Sequence, residues 1–343
     1  MIKRLSLRTF RNHTSYSVSF AKNHVMIAGE NGTGKTSILE AIHLVATTKS
    51  HRTSNDADMI MDGAPFAHAR LETELGRYDV VLSKAGKRVS VDNIPKTRLS
   101  DYIGHVRVVM FAPEDLELVK NGPSVRRAFM DLELMQSDRT YLKALQDYRK
   151  ALRQRNALLK TVGPKDDTTF LDILAEQLAL HGDVLMDRRA RFLEDLDKTS
   201  GQAFGSFSHH SLSLAYKPDV RPGEFRDHLL SRRMTDILQK QTVSGPHRDD
   251  FRILHDGLDA RTHASQGEQR MTAIALKFGL MALIRDREDI QPVLLLDDVL
   301  SELDPVRQDV LLSNLPPGTQ VIMTGTTPVG AAEIDTIHLT KGD

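Results

Sequence analysis

Three textures of apolar and polar positions follow one another along the chain. From residue 1 to about 112 the pattern is strand-like. Tyr16, Val18 and Phe20 alternate with polar neighbours, the two-residue period of a half-buried strand. Val25-Met26-Ile27-Ala28 is a short apolar run that ends at Gly29. Tyr78 to Leu82 and Val89 to Val91, joined by Lys84-Ala85-Gly86-Lys87, predict a hairpin. Val106 to Phe111 predicts a buried strand. From about 113 to 240 the period becomes helical. Tyr141, Leu145, Tyr148 and Leu152 recur at helical spacing, as do Leu171, Leu174, Leu178, Leu185, Phe192 and Leu196. Between the two stripes lies Thr161 to Asp167, rich in turn residues, so two antiparallel helices are expected. From about 241 the α/β texture returns. Met271 to Arg285 predicts a buried helix, and Val293 to Leu296 and Gln320 to Thr324 predict buried parallel strands. The expected architecture is α/β, with one domain (1–112 and 241–343) interrupted by a helical insertion at 113–240.

Composition narrows the chemistry. The 343 residues carry 46 basic and 46 acidic side chains, so any nucleic-acid site must be a local patch. With no cysteine there is no disulfide framework, thiolate zinc site or cysteine nucleophile. No stretch approaches the ~18 apolar residues of a membrane helix, and the start has no signal-peptide core. A soluble, cytoplasmic protein with no membrane partner is expected. The histidines show no H-E-x-x-H spacing, and no G-x-S-x-G occurs.

Gly29-Glu30-Asn31-Gly32-Thr33-Gly34-Lys35-Thr36 fits G-x-x-x-x-G-K-[ST] at every defined position. An apolar run precedes it, and Ile38, Leu39, Ala41, Ile42 and Val45 mark a helix after it. Glycines let the backbone close around phosphate oxygens. The N–H groups and dipole of the helix start favour the anion. Lys35 supplies a point charge to the β- and γ-phosphates of ATP, and Thr36 a hydroxyl to Mg²⁺. Downstream, the strand Val293 to Leu296 ends in Asp297-Asp298. Such a strand delivers its terminal carboxylate to the ligand-binding edge of a parallel sheet. Asp297 is the expected Mg²⁺-associated residue, and Asp298 the group that orients or deprotonates the attacking water. Ser265-Gln266-Gly267-Glu268-Gln269-Arg270 precedes the helix at Met271. In isolation it also reads as an ordinary capping box, Ser265 to Glu268.

The order of phosphate loop, S-x-G-E-Q, paired acids and Ser301-Glu302-Leu303-Asp304 resembles the ABC-type ATPases, nearest to their SMC-like DNA-repair branch. Within it, four segments resemble the RecF family: Phe10-Arg11-Asn12, Phe111 to Leu116, Ser244 to Asp250 and Ser265 to Arg270. The resemblance implies an ATPase head with an inserted helical arm and a homodimer that sandwiches ATP. The phosphate loop of one copy would meet Ser265, Gln266, Gly267, Glu268 and Gln269 of the other, with Ser301 and Asp304 along the same seam. It further implies slow hydrolysis, DNA held by the ATP-closed dimer near single-strand gaps, and work with the mediators RecO and RecR and the recombinase RecA. Two features depart from the wider class. Asp298 stands where Glu is usual, and Thr324-Gly325-Thr326-Thr327 follows the last core strand where a switch histidine is expected.

For DNA, the candidates are Arg149, Lys150, Arg153, Arg155 and Lys160, in a run with Lys165 that contains no acid. Arg188, Arg189, Arg191, Arg126-Arg127 and Arg232-Arg233 add charge. Phosphate backbones attract such clusters without base readout, although a solvated helical face would look the same. The competing functions are a transporter ATPase, another SMC-like ATPase, or a small-molecule phosphotransferase. The helical insertion and missing histidine count against the transporter, and no acceptor site favours the phosphotransferase.

Overall fold

The computed structural model describes residues 1–206, 208–300, 308, 311–313, 315, 317–326 and 334–340. Ser301, Asp304 and Thr327 lie outside the described residues. The chain divides into two compact units, Met1–Asp115 with Leu280–Asp343, and Leu116–Gly279.

The first unit opens with β1 (Ile2–Phe10), β2 (His13–Ser19), β3 (His24–Gly29), α1 (Lys35–Thr47), β4 (Phe66–Thr73), β5 (Arg77–Ser83), β6 (Gly86–Val91), β7 (Ile94–Lys96) and β8 (Val108–Phe111). An antiparallel sheet runs β2-β1-β4-β5-β6-β7. The expected hairpin is tighter than its turn residues suggested. Ser83 pairs with Gly86, whose φ of 112° closes the turn, so Lys87 already belongs to β6.

The second unit contains α2 (Glu117–Lys120), α3 (Pro123–Ser137), α4 (Arg139–Leu159), α5 (Thr169–Gly205), β9 (Leu212–Lys217), α6 (Phe225–Ser231), α7 (Arg233–Gln239), β10 (Asp250–His255), β11 (Leu258–Asp259) and α8 (Ala260–His263). The long helix α9 (Gln266–Glu288) follows, and the unit boundary falls inside it. In this unit α4 and α5 pack on one another through the expected apolar stripes. The sheet β11-β10-β9 is antiparallel and lies on α5 and α3. Phe251 of β10 meets Phe129 of α3 with ring centroids 6.4 Å apart, and Phe129 meets Phe192 of α5 at 6.2 Å. This shared core corrects the expected boundary at 240. Residues 241–279 pack with the helices because β10 pairs with β9 along its whole length and buries Phe251 and Ile253. Gly279 also fits α9 against α5, since a Cβ there would come within 2.5 Å of the Ser200 backbone nitrogen.

The first unit is completed by β12 (Val293–Leu296), β13 (Val321–Gly325) and β14 (Asp335–Leu339). Its second sheet is parallel, in the order β14-β3-β13-β12-β8. Helix α1 packs against strands of both sheets and is buried at every position except Thr36. All four residues of β12 and all four of β8 are buried, which explains their continuous apolar runs. Two expectations change here. Thr324 and Gly325 lie inside β13 and do not follow it, and β14 continues the sheet beyond β3.

Candidate nucleotide site

The chain leaves β3 at Gly29 and enters α1 at Lys35. Gly32 and Gly34 have φ of 82° and 101°, in the left-handed region that glycine tolerates. An added Cβ at Gly34 would collide with the side chains of Asn12 and His13, and one at Gly29 would come within 2.5 Å of the Leu339 carbonyl. The loop is therefore both curved and crowded from behind. Lys35 Nζ donates to the carbonyls of Gly29 at 2.6 Å and Glu30 at 2.7 Å. Thr33 closes the turn through Oγ1 to the Glu30 carbonyl at 2.9 Å.

Across the parallel sheet, β13 separates β3 from β12 and supplies a link between the loop and the acids. Thr36 Oγ1 donates to Asp297 Oδ1 at 2.9 Å, and Thr324 Oγ1 donates to the same oxygen at 2.7 Å. The Asp298 backbone N–H donates to Thr324 Oγ1 at 2.9 Å. Burial pushes the Asp297 carboxyl above the ordinary aspartate range, against the pull of the Thr324 and Thr36 hydroxyls, and Asp298 pushes it further. Asp297 is 4% exposed, so a dication beside it would relieve a carboxylate held away from water. Asp298 has φ 51°, a sparsely populated conformation for a residue with a Cβ. Among the described residues no group of three or more His, Cys, Asp or Glu is arranged to hold a metal. The hydroxyl of Thr36 beside the carboxylate of Asp297 is an oxygen donor pair that fits Mg²⁺, an ion bound through one or two protein ligands with phosphate oxygens and water completing its shell. Lys35, Thr36, Asp297 and Asp298, far apart in sequence, are brought together in one unit.

Residues outside the phosphate-loop motif brace this loop. Arg11 is bidentate to Glu40 of α1, with Nε at 2.8 Å and Nη2 at 2.6 Å, and Glu40 is fully buried. The ion pair holds the Arg11 guanidinium above its ordinary range. Ser37 Oγ donates to Asn12 Oδ1 at 3.2 Å, and His13 Nε2 lies 3.2 Å from the Gly34 carbonyl. The signal was present in Phe10-Arg11-Asn12, but only the fold shows that the segment backs the phosphate loop.

In the second unit the signature segment forms its capping box. The Ser265 N–H donates to Glu268 Oε2 at 2.7 Å, and the Glu268 N–H to Ser265 Oγ at 3.3 Å. These bonds hold the Glu268 carboxyl below its ordinary range. Ser265 and Gln266 are exposed at the start of α9. Gln269 departs from the expected surface role. It is 5% exposed, and its Nε2 lies 3.2 to 3.3 Å from the carbonyls of Ala260, Arg261 and Ala264, so its amide is spent inside the unit around α8.

The basic run divides. Arg155 is 1% exposed and binds Asp236 at 2.7 Å and Thr242 at 2.8 Å, so it cannot reach a phosphate. Arg149 pairs with Asp131 at 2.7 Å. Lys150, Arg153 and Lys160 are exposed. Arg189 is buried, bridging Asp131 and Asp249, both at 2.8 Å. Asp249 also accepts from Tyr216 Oη at 2.6 Å and from the Asp219 N–H at 2.9 Å. The segment Ser244 to Asp250 is therefore the keystone of a buried network in the second unit.

A phosphate loop at the end of one parallel strand, a buried acid at the end of another and a large insertion between them define an ABC-type ATPase head. The RecF/RecN/SMC N terminal domain family matches residues 1–338. The DNA replication and repair protein RecF of Acholeplasma laidlawii (strain PG-8A) is 43% identical over 344 residues, covering 100% of this chain and 99% of that protein. RecF of Shouchella clausii (strain KSM-K16) is 40% identical, covering 96% and 94%. A solved structure of the recombination mediator protein RecF with ATP, from the RecFOR pathway, superposes with a TM-score of 0.93 at 28% identity, covering 100% of this chain and 96% of that one. An Smc head bound to the C-winged helix domain of ScpA shares the fold, with a TM-score of 0.57 at 17% identity over 99% and 95%. The chain belongs to the RecF family of DNA replication and repair proteins.

Proposed function

We propose that this chain is an ATP-switched, DNA-binding ATPase of recombinational repair. ATP occupies the Gly29–Thr36 loop, and Lys35 exchanges its two loop carbonyls for the β- and γ-phosphates. Thr36 and Asp297 would hold Mg²⁺, which supplies positive charge to the phosphate oxygens. Asp298 orients or deprotonates the attacking water; its short side chain suits slow hydrolysis that resets the switch. Ser265 and Gly267 meet the γ-phosphate of a second copy, so that ATP joins a homodimer along a seam shared with Ser301 and Asp304. The closed dimer holds DNA near single-strand gaps and acts with RecO and RecR in loading RecA.

The observation that carries this reading is the Thr36–Asp297–Thr324 link, which ties the phosphate loop to the buried acid of β12. Family membership and the likeness to RecF solved with ATP support it. The test is fluorescent-nucleotide titration together with sedimentation, with and without ATP and Mg²⁺. Lys35→Ala should lose nucleotide binding and ATP-dependent dimerisation while its circular dichroism stays unchanged. Parental affinity in that variant would remove the loop from the mechanism.

A further inference from the structure

A cleft of about 210 Å³ lies within the second unit, lined by residues of α3, α8 and the strands β9, β10 and β11. Its polar lining is Arg126, Lys217, Asp250, Arg252, Asp259 and Arg261. The strand register explains why Lys217, Asp250 and Arg252 share one face of the sheet, while Arg126 reaches the cleft from α3 and Arg261 from α8. Lys217 pairs with Asp250 and Ala215 with Arg252, whereas Phe251 and Ile253 turn into the core. The two carboxylates are already engaged. Arg126 grips Asp250 at 2.7 and 3.0 Å and donates further to the carbonyls of Leu118 and Asn121. Asp259 caps α8, accepting from the Arg261 N–H at 2.9 Å.

Lys217, Arg252 and Arg261 are exposed, and among the described residues their side chains have neither an ion pair nor a hydrogen bond. Elsewhere in the unit, basic side chains are commonly matched: Arg188 with Asp138, Arg226 with Glu176, and Arg233 with Asp172. Three unmatched cations around one cleft leave an uncompensated positive field. Phe251, the aromatic residue in the lining, is fully buried, so bases have no ring to stack on. We propose that this cleft binds the phosphodiester backbone of duplex DNA, with Lys217, Arg252 and Arg261 each meeting a phosphate. The assignment rests on the DNA-binding reading above and places that contact on the sheet, away from the α4 run.

The experiment measures duplex binding by fluorescence anisotropy across a salt series, using the full chain with ATP and Mg²⁺. The variant Lys217→Gln/Arg252→Gln/Arg261→Gln should bind more weakly. Its slope of log affinity against log salt should be shallower by roughly 2–3, since each lost phosphate contact removes about 0.9. Nucleotide affinity and thermal midpoint should stay parental. A parental slope in this variant overturns the proposal. A parallel variant, Lys150→Gln/Arg153→Gln/Lys160→Gln, should keep the parental slope; if it alone carries the loss, α4 is the site and the cleft is not. A slope change confined to single strands refutes the duplex assignment. A parent chain that binds no duplex with ATP sinks the underlying DNA-binding reading itself.

Discussion

Lys35 rests on carbonyls of its own loop, whereas Asp297 is a buried carboxylate held by two hydroxyls, so the two should fail differently. Replacing Asp297 by Asn should weaken nucleotide binding chiefly in its Mg²⁺ dependence, seen by titrating with and without a chelator. Asp298→Asn preserves size, and Asn tolerates the left-handed backbone that Asp298 adopts. It should retain ATP binding and accumulate an ATP-bound dimer in sedimentation; normal turnover would contradict its role in activating water. At the surface of the second unit, His210 lies 2.7 Å from Asp256 and 3.6 Å from Glu268. The hydrogen bond to Asp256 raises the His210 pKa, and the Ser211 N–H and His210 hold Asp256 down to about 2. The sign follows. The His210 contribution to stability is complete below the unfolded value near 6.5 and is lost as pH rises through the folded one. The Asp256 contribution is present above about 3.8 and is lost as pH falls towards 2. An NMR titration should find the His210 midpoint above 6.5, and Asp256→Asn should lower it.

Helix α4 shows why a basic run is a poor guide at the scale of an element. One turn of it presents Arg153 to solvent and buries Arg155 against Asp236 of α7. Removing one partner of such a pair leaves an uncompensated buried charge, so Arg155→Met should cost about 3–5 kcal/mol. Lys150→Met, on the exposed face, should stay within about 0.5 kcal/mol. Urea denaturation of the two variants decides it, and equal midpoints would contradict the pairing. The run of charges was legible in the sequence; which arginines turn inward was not. The acidic partner of Arg155 lies 81 residues away along the chain, and those of Arg189 lie 58 and 60 away, beyond the reach of helical periodicity. The start of α9 is the opposite case. Ser265 and Glu268 are three residues apart, so their capping box could be read locally, and it forms.

For the whole molecule, the capping box and the proposed contact with a second copy make separable demands on Ser265. Loss of the cap costs about 1 kcal/mol and leaves dimerisation intact. Ser265→Arg also places bulk and charge where a partner's γ-phosphate must fit. That variant should still bind ATP through its own Lys35 loop, yet fail to dimerise. A mixture of Ser265→Arg and Lys35→Ala chains can build one intact composite site, from the Lys35 of the first and the Ser265 of the second. Sedimentation should therefore show partial ATP-dependent dimer in the mixture and none in either variant alone. Parental dimerisation by Ser265→Arg would end the sandwich mechanism here.

What the sequence determined by itself rests on short-range chemistry. The phosphate loop, the acid at the end of β12, the capping box and the long helices each depend on residues a few positions apart. Their spacing carries a physical requirement: backbone freedom at glycine, burial on both faces of a parallel strand, one apolar face on a helix. The tertiary structure decided what depends on distant partners. It brought Thr324 to Asp297 across 27 positions and Arg11 to Glu40 across 29. It joined 241–279 to the helices through β9–β10 pairing and buried Arg155, Arg189 and Gln269. It also left Lys217, Arg252 and Arg261 without acidic partners among the described residues. A side chain's charge is written in the sequence, but whether that charge meets a carboxylate, a carbonyl or water is settled only when the chain folds.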